Sequence, residues 1–264
     1  GGLTRRSRFD PSSGMSRLVT EKVTKAEATQ RMGRAGRTNT GVCYKLWTKG
    51  EEGGLTPFPE PEILISDLSP LAMELAAWGV NNPENLPFLT HPKSLDFQTA
   101  QELLKNLGAI NDKGNITELG QKISREPTHP RLARILIAGG LDANLVVALI
   151  ESKDILGPNA PIDFKLRMDA IKNSISFEND YPYTINKKAS SNVLKLSKRL
   201  HSKGQLELSY SQMAAIAYPD RIGLSRNQNR GQFLLSGGKG AFISASDPLA
   251  SAKMIVALNL DGNK

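Results

Sequence analysis

Thr24 and Glu27, spaced Thr-x-x-Glu, open the stretch that most restricts how this chain can fold. In a capping box the threonine hydroxyl and the glutamate carboxylate each satisfy a backbone N–H that a first helical turn leaves free. A helix is therefore expected from Thr24 to Ala35, with only Gly33 against it, stopped by Gly36 in left-handed conformation. Its end reads Gln30-Arg31-Met32-Gly33-Arg34-Ala35-Gly36-Arg37. At about 100° per residue, Gln30, Arg34 and Arg37 fall within roughly 60° of one another on the helical wheel. One face would then present an amide and two guanidiniums, with Gly33 and Gly36 removing bulk beside them. Permanently charged, fork-shaped donors suit a triphosphate, because they stabilise charge spreading over the γ-phosphoryl oxygens while an amide orients the attacking water. An ordinary basic surface helix would show the same arginine spacing. Spacing alone leaves both readings open.

The full eight-residue string is more specific. It resembles motif VI (QRxGRAGR) of the DEAH-box helicases of superfamily 2. The resemblance implies that Gln30 positions water or the γ-phosphate and that Arg34 and Arg37 are arginine fingers. Gly33 and Gly36 would lie beside the nucleotide with them, and Arg31 would be structural. Gly2-Leu3, the arginines after it and Phe9-Asp10-Pro11 resemble the stretch that follows motif V, so the chain is expected to start inside a domain. Leu119-Gly120 and Pro127-x-x-Pro130-Arg131-Leu132-Ala133 resemble the helicase-associated region, where the family usually has Asp at the position of His129. Ala217 to Ile222, Arg230 to Leu235 and Gly237 to Ala241 narrow the likeness to the HrpB-type helicases of bacteria.

Length and charge agree with several domains touching a polyanion. The chain of 264 residues has room for two or three small cores. Its +8 net charge is uneven: 11 basic and 6 acidic groups in 1–60, 5 and 8 in 61–125, 15 and 10 in 126–230. An acidic middle between two basic blocks fits contact with nucleic acid at selected faces, or solubility alone. No apolar run approaches the ~18 residues of a membrane span, and no signal pattern opens the chain, so the cytoplasm is the default expectation. The single cysteine, Cys43, precludes an internal disulfide or a cysteine-based zinc cluster, and a place in a strand core is expected for it.

Along the chain, four regions are expected. Residues 1–60 read as the closing strand–helix–strand of an α/β domain, which the resemblance makes the C-terminal piece of a second RecA-like domain. Ser16 to Val23 and Gly41 to Trp47 are its strands around the capped helix, no helix start is seen from Gly1 to Asp10, and Thr48 to Pro61 is a linker. Residues 61–125 read as a winged helix. Its parts are a helix from Ser69 to Trp78 with the stripe Leu71, Leu75 and Trp78, a second from Leu95 to Leu107 ended by Gly108, a short hairpin over 109–116, and a helix capped by Thr117. The second helix carries Lys105 against Glu102 and Asp96, a poor balance for a major-groove reader.

Residues 126–220 read as a helical bundle, with helices near 130–138, 143–153 (capped by Asp142), 163–173, 187–202 and 211–217. Resemblance makes this a ratchet domain that holds single-stranded RNA. Between Lys187 and Lys203 six cations occur with no acidic residue. Val193, Leu196 and Leu200 form the apolar stripe, which leaves Lys188, Lys195, Lys198 and Arg199 as candidate phosphate contacts, or as a solvated face. Residues 221–264 read as the start of a C-terminal β region, with a hairpin over 232–244 across the Gly-Gly-Lys-Gly turn and a strand from Ile255 to Leu260. That turn lacks GxxxxGK[ST] spacing, so hairpin chemistry outweighs phosphate binding. The fold class expected is mixed and mainly α.

No GxxxxGK[ST] and no Asp-Glu-Ala-His string occurs, so ATP and Mg²⁺ are expected to need a first RecA-like domain not present in this sequence, and this segment alone is expected to be inactive. His91, His129 and His201 are scattered, no metal site is expected, and no G-x-S-x-G elbow is present. The leading expectation is a C-terminal segment of an ATP-dependent RNA helicase. The alternative is a stand-alone nucleic-acid-binding winged-helix adaptor without catalysis.

Overall fold

The arginine-rich opening folds as a strand. In this computed structural model, which describes residues 2–10, 14–226 and 230–260, Leu3–Asp10 (β1) pairs antiparallel with Met15–Lys22 (β2), Leu3 opposite Lys22 and Asp10 opposite Met15. Gly1 and Pro11 of the stretch likened to a post-motif-V segment lie outside the described residues. The expected strand at Ser16 to Val23 is thus present, shifted by one residue, and its partner is the arginine-rich opening, which shows no helix start in the sequence. Arg6 and Arg8 hold the ladder from its half-buried face. Arg6 reaches Glu21 at 3.1 Å and Glu27 at 2.5 Å, and Arg8 reaches Glu21 and, at 2.6 Å, Glu60.

Lys25–Gly33 (α1) follows, with Thr24 as its cap and the capping box formed as expected. The helix stops earlier than Ala35. Arg34 N–H donates to Arg31 O at 3.2 Å and Ala35 N–H to Met32 O at 3.0 Å, so the last turn tightens to i→i+3 bonds. Gly36 is not left-handed, unlike Gly79 (φ +78°) and Gly108 (φ +73°), which follow their helices as expected. The close approach falls instead at Gly41, where a Cβ would lie 1.9 Å from the Ala35 carbonyl oxygen. The chain doubles back there onto the end of α1.

Gly41 to Trp47 is not a strand. It pairs with no described strand, and Val42, Tyr44 and Leu46 are 72%, 84% and 84% exposed. Cys43 is exposed too, against the expected core position. The alternation is present, but a strand needs a neighbour to satisfy its backbone. The expected linker contains a short helix, Lys49–Gly53 (α2), with its own capping box between Thr48 and Glu51. The apolar core of this unit is small: Val23, Ala28 and Leu55, with Trp47 against them.

A first compact unit takes in the described residues to Leu68 with Asn82–Ala100, and a second takes in Ser69–Asn81 with Gln101–Leu260. Ser69–Ala77 (α3) buries Ala72, Met73, Leu75 and Ala76. Trp78, expected on the apolar stripe, is exposed because the helix has ended before it. Ser94–Asn106 (α4) and Glu118–Ile123 (α5) flank a wing reduced to one bridge, Ile110 with Ile116. Thr117 caps α5 through Gly120 N–H at 2.9 Å, and its hydroxyl also reaches the Gly108 carbonyl at 2.7 Å.

Pro130–Ala138 (α6), Ala143–Glu151 (α7), Phe164–Lys172 (α8), Ser174–Asp180 (α9), Lys187–Ser197 (α10) and Tyr210–Ala217 (α11) form the helical body. Its core runs from Leu132, Ile135 and Leu136 through Val146, Val147 and Met168 to Val193 and Met213. Asn173 both ends α8 and caps α9, so a helix unforeseen in the sequence begins where the expected one stops. Asp142 makes no cap hydrogen bond. Its carboxylate takes Lys172 at 2.5 Å and the Tyr210 hydroxyl at 3.1 Å, which holds the Lys172 ammonium above its ordinary range.

A four-stranded antiparallel sheet completes this unit: Ile222–Ser225 (β3), Gln232–Leu235 (β4), Gly240–Phe242 (β5) and Met254–Val256 (β6), in the order β5-β4-β3-β6. The expected hairpin is β4–β5. The expected strand at Ile255 to Leu260 is shorter, and β3 was not foreseen. Arg131 of α6 ties the bundle to the start of the sheet: its guanidinium grips Asp220 at 2.5 and 2.9 Å and Ala217 O at 3.0 Å. The buried Tyr218 ring lies between two guanidiniums, Arg131 at 5.0 Å and Arg221 at 4.9 Å. Burial pulls the Asp220 carboxyl up, and Arg131 outweighs it, so the group stays below the ordinary carboxylate range.

Candidate nucleotide and nucleic-acid interface

Two sets of basic residues were singled out, one in each unit. In the first unit, the elements that present Gln30, Arg34 and Arg37 are held by charge. Glu27 is the hub: it accepts from Thr24 N–H at 2.8 Å, from the Thr24 hydroxyl at 3.0 Å and from Arg6 at 2.5 Å. Burial alone would raise its carboxyl, and these donors bring it below the usual range. Arg8 does the same for Glu21. Arg31 turns away from the helix end and donates to Leu3 O at 3.0 Å, which ties α1 to β1 as a structural residue would.

Against these, Gln30, Arg34 and Arg37 are all exposed, and their side chains make no hydrogen bond or ion pair among the described residues. Gln30 sits in the last turns of α1, Arg34 caps its C-terminus, and Arg37 lies in the turn beyond. The helical wheel therefore places Gln30, while the doubling back at Gly41 places Arg37. Space beside them is open: a Cβ at Gly33 would meet nothing within 4 Å, and one at Gly36 only Asn39 O at 3.8 Å.

In the second unit, α10 is set by Asn186, whose side chain accepts from Ala189 N–H at 3.0 Å, and by Asn144 of α7, which donates to Ser197 O at 3.1 Å. Val193 and Ser197 face inward. The helix is shorter than expected, so Lys198 is its cap and Arg199 lies just past it. Lys188, Lys195, Lys198 and Arg199 are exposed and carry no ion pair among the described residues. Several cations elsewhere in the bundle are committed: Lys165 to Asp169, Arg167 to Asp154, Lys172 to Asp142, Lys203 to Glu126. Lys105, the one cation of α4, is held by Glu102 at 2.7 Å. That pairing removes the phosphate contact a DNA-reading helix would need.

Among the described residues no group of three or more His, Cys, Asp and Glu could hold a metal ion, and no helix is long and apolar enough to cross a membrane.

Residues 100–125 match the winged-helix part of the helicase-associated domain HA2, which places α4, the wing and α5 in a helicase-associated region. ATP-dependent RNA helicase HrpB of Escherichia coli is 33% identical over 259 residues, 95% of this chain and 30% of that protein. Pre-mRNA-splicing factor ATP-dependent RNA helicase prp22 of Schizosaccharomyces pombe is 38% identical over 137 residues, 52% of this chain and 12% of that protein. The crystal structure of the Escherichia coli DEAH/RHA helicase HrpB superimposes with a TM-score of 0.71 at 31% identity, covering 97% of this chain and 31% of that one. The chain belongs to the DEAH-box helicase family, in its C-terminal helicase-associated region. It spans less than a third of the length of these relatives.

Proposed function

We propose that this chain is the C-terminal part of an ATP-dependent RNA helicase. Its Arg34 and Arg37 stabilise the charge on the transferring γ-phosphoryl group, and Gln30 orients the attacking water. The phosphate loop and the acidic residues for Mg²⁺ belong to another RecA-like domain. The helical body over residues 126–220 holds single-stranded RNA through Lys188, Lys195, Lys198 and Arg199. The regions 1–60, 61–125 and 221–264 are respectively the end of the second RecA-like domain, the winged helix and the start of the C-terminal β region. As ATP turns over, the motor domains shift against an RNA strand held by the helical domain.

One observation carries the nucleotide reading. Within the motif VI string Arg31 is tied to the Leu3 carbonyl, whereas Arg34 and Arg37 are exposed and make no side-chain hydrogen bond or ion pair among the described residues. Guanidiniums with five donors and no internal acceptor suit an external polyanion. ATP hydrolysis tests it. In a helicase carrying this segment beside a nucleotide-binding domain, Arg34→Ala or Arg37→Ala should lower the RNA-stimulated rate by about 10³–10⁵. The segment alone should show no hydrolysis. A steady rate from the segment alone that disappears in Arg34→Ala would overturn the proposal.

A further inference from the structure

Just ahead of the basic helix in the chain lies a ladder of three rings. Phe177 of α9 is buried, and its ring lies 4.8 Å from that of Tyr181 at an interplanar angle of 30°. Tyr181 is nearly parallel to Tyr183, with 16° between planes and 6.3 Å between centroids. Tyr183 packs on the edge of the apolar core, and Tyr181 is 38% exposed.

The ladder is fixed at both ends. Tyr181 N–H donates to Phe177 O at 2.9 Å, and Pro182 restricts the backbone between the two tyrosines. Ile185 bridges Leu156, and Asn186 N–H donates to Ile155 O at 2.8 Å. Rings held in this way need little ordering when a ligand arrives.

Charge completes the pattern. Asn186 caps α10, and the next two residues, Lys187 and Lys188, are exposed and unpaired among the described residues. Lys165 of α8, bound to Asp169 at 2.6 Å, lies within electrostatic reach of Tyr181. The neighbouring Asp180 is turned back onto the Ser176 hydroxyl at 3.0 Å. A ligand that fits a planar aromatic face followed by two free ammonium groups carries a flat ring and an anion in succession. A nucleotide strand does both.

We infer that Tyr181, with Tyr183 beside it, is a base-stacking platform for single-stranded RNA whose phosphates continue onto Lys187 and Lys188. This rests on the RNA-holding role proposed above and names where a base, as opposed to the backbone, is felt.

Binding of the 264-residue chain to an oligouridylate, and to an abasic ribose-phosphate strand of the same length, separates the two. Stacking contributes about 5- to 150-fold per base. Tyr181→Ala should weaken oligouridylate binding by that factor and leave the abasic strand within about twofold. Tyr181→Leu, which keeps apolar contact with Phe177 without a π face, should lose as much, and Tyr181→Trp should retain affinity. A combined Lys195→Ala, Lys198→Ala, Arg199→Ala variant should weaken both strands alike. Oligouridylate binding that depends on these cations but not on Tyr181 overturns the platform and leaves the RNA-holding role standing. Equal losses on both strands in Tyr181→Ala overturn it as well. No binding of either strand by the unaltered chain overturns both readings.

Discussion

The hairpin-and-α1 unit and the helical body solve the same problem with different currencies. Around α1 the apolar core is Val23, Ala28 and Leu55, and the structure leans on Arg6, Arg8, Glu21, Glu27 and Glu60. The helical body buries a continuous set of Leu, Ile, Val and Met side chains and leaves the cations of α10 uncommitted. Partly exposed ion pairs contribute little each and are screened by salt, whereas burial is neither. The difference teaches where charge is available for work. In the first unit Arg6, Arg8 and Arg31 have internal partners, and Arg34 and Arg37 near the end of α1 are free. In the second a whole helix surface is.

Three measurements sharpen this contrast. The largest effect belongs to the helical body. Leu136 is fully buried, so Leu136→Ala should cost about 2–5 kcal/mol in a denaturant titration followed by helical circular dichroism. A loss below about 1 kcal/mol would mean that the core is not what holds this unit.

Acid should act mainly on the other unit. The folded Glu21 and Glu27 carboxyls lie below the ordinary glutamate range, Glu21 because Arg8 donates to it and Glu27 because Arg6 and Thr24 outweigh its burial. The stabilisation they give is therefore present above the unfolded value of about 4.3 and is lost as pH falls through their lower folded values. Amide-exchange protection in α1 should drop before that of α6 and α7 as the pH is lowered below about 4, and earlier in added salt. Simultaneous loss in all three helices would remove the distinction. Asp220, also lowered, works in the same direction but within the better-buried body.

The smallest effect is a deliberate null. Arg34 makes no internal contact that its loss would break, so Arg34→Ala should leave thermal stability within about 0.5 kcal/mol. A larger loss would show that this arginine is structural.

What the sequence discloses about this fold follows from how local each cause is. The Thr24–Glu27 box and the cap at Thr117 join residues three apart, and each forms where the pattern places it. β1 was hidden because a strand needs a second segment and its half-buried side chains include arginines, which read as polar until their ion pairs with Glu21 and Glu27 are seen. Gly41 to Trp47 misleads for the converse reason. Its alternation describes a strand, and a strand is a property of two segments. Asp142 looked like a cap, yet Lys172 and Tyr210, from helices 30 and 68 residues away, draw its carboxylate elsewhere. For the site, the residue types and their string were legible early. That Arg31 is held by the Leu3 carbonyl while Arg34 and Arg37 stay free is set by β1, and no spacing rule contains it.

Gly41 gives the arginine turn an unusual kind of support. The peptide carrying Arg34 and Arg37 rests against a position whose side chain is a hydrogen atom, and nothing larger fits between it and the Ala35 carbonyl. Orientation of the two guanidiniums is thereby delegated to an atom six residues downstream of Ala35. A single methyl there would displace the Ala35–Gly36 peptide that joins the two arginines while leaving each chemically intact.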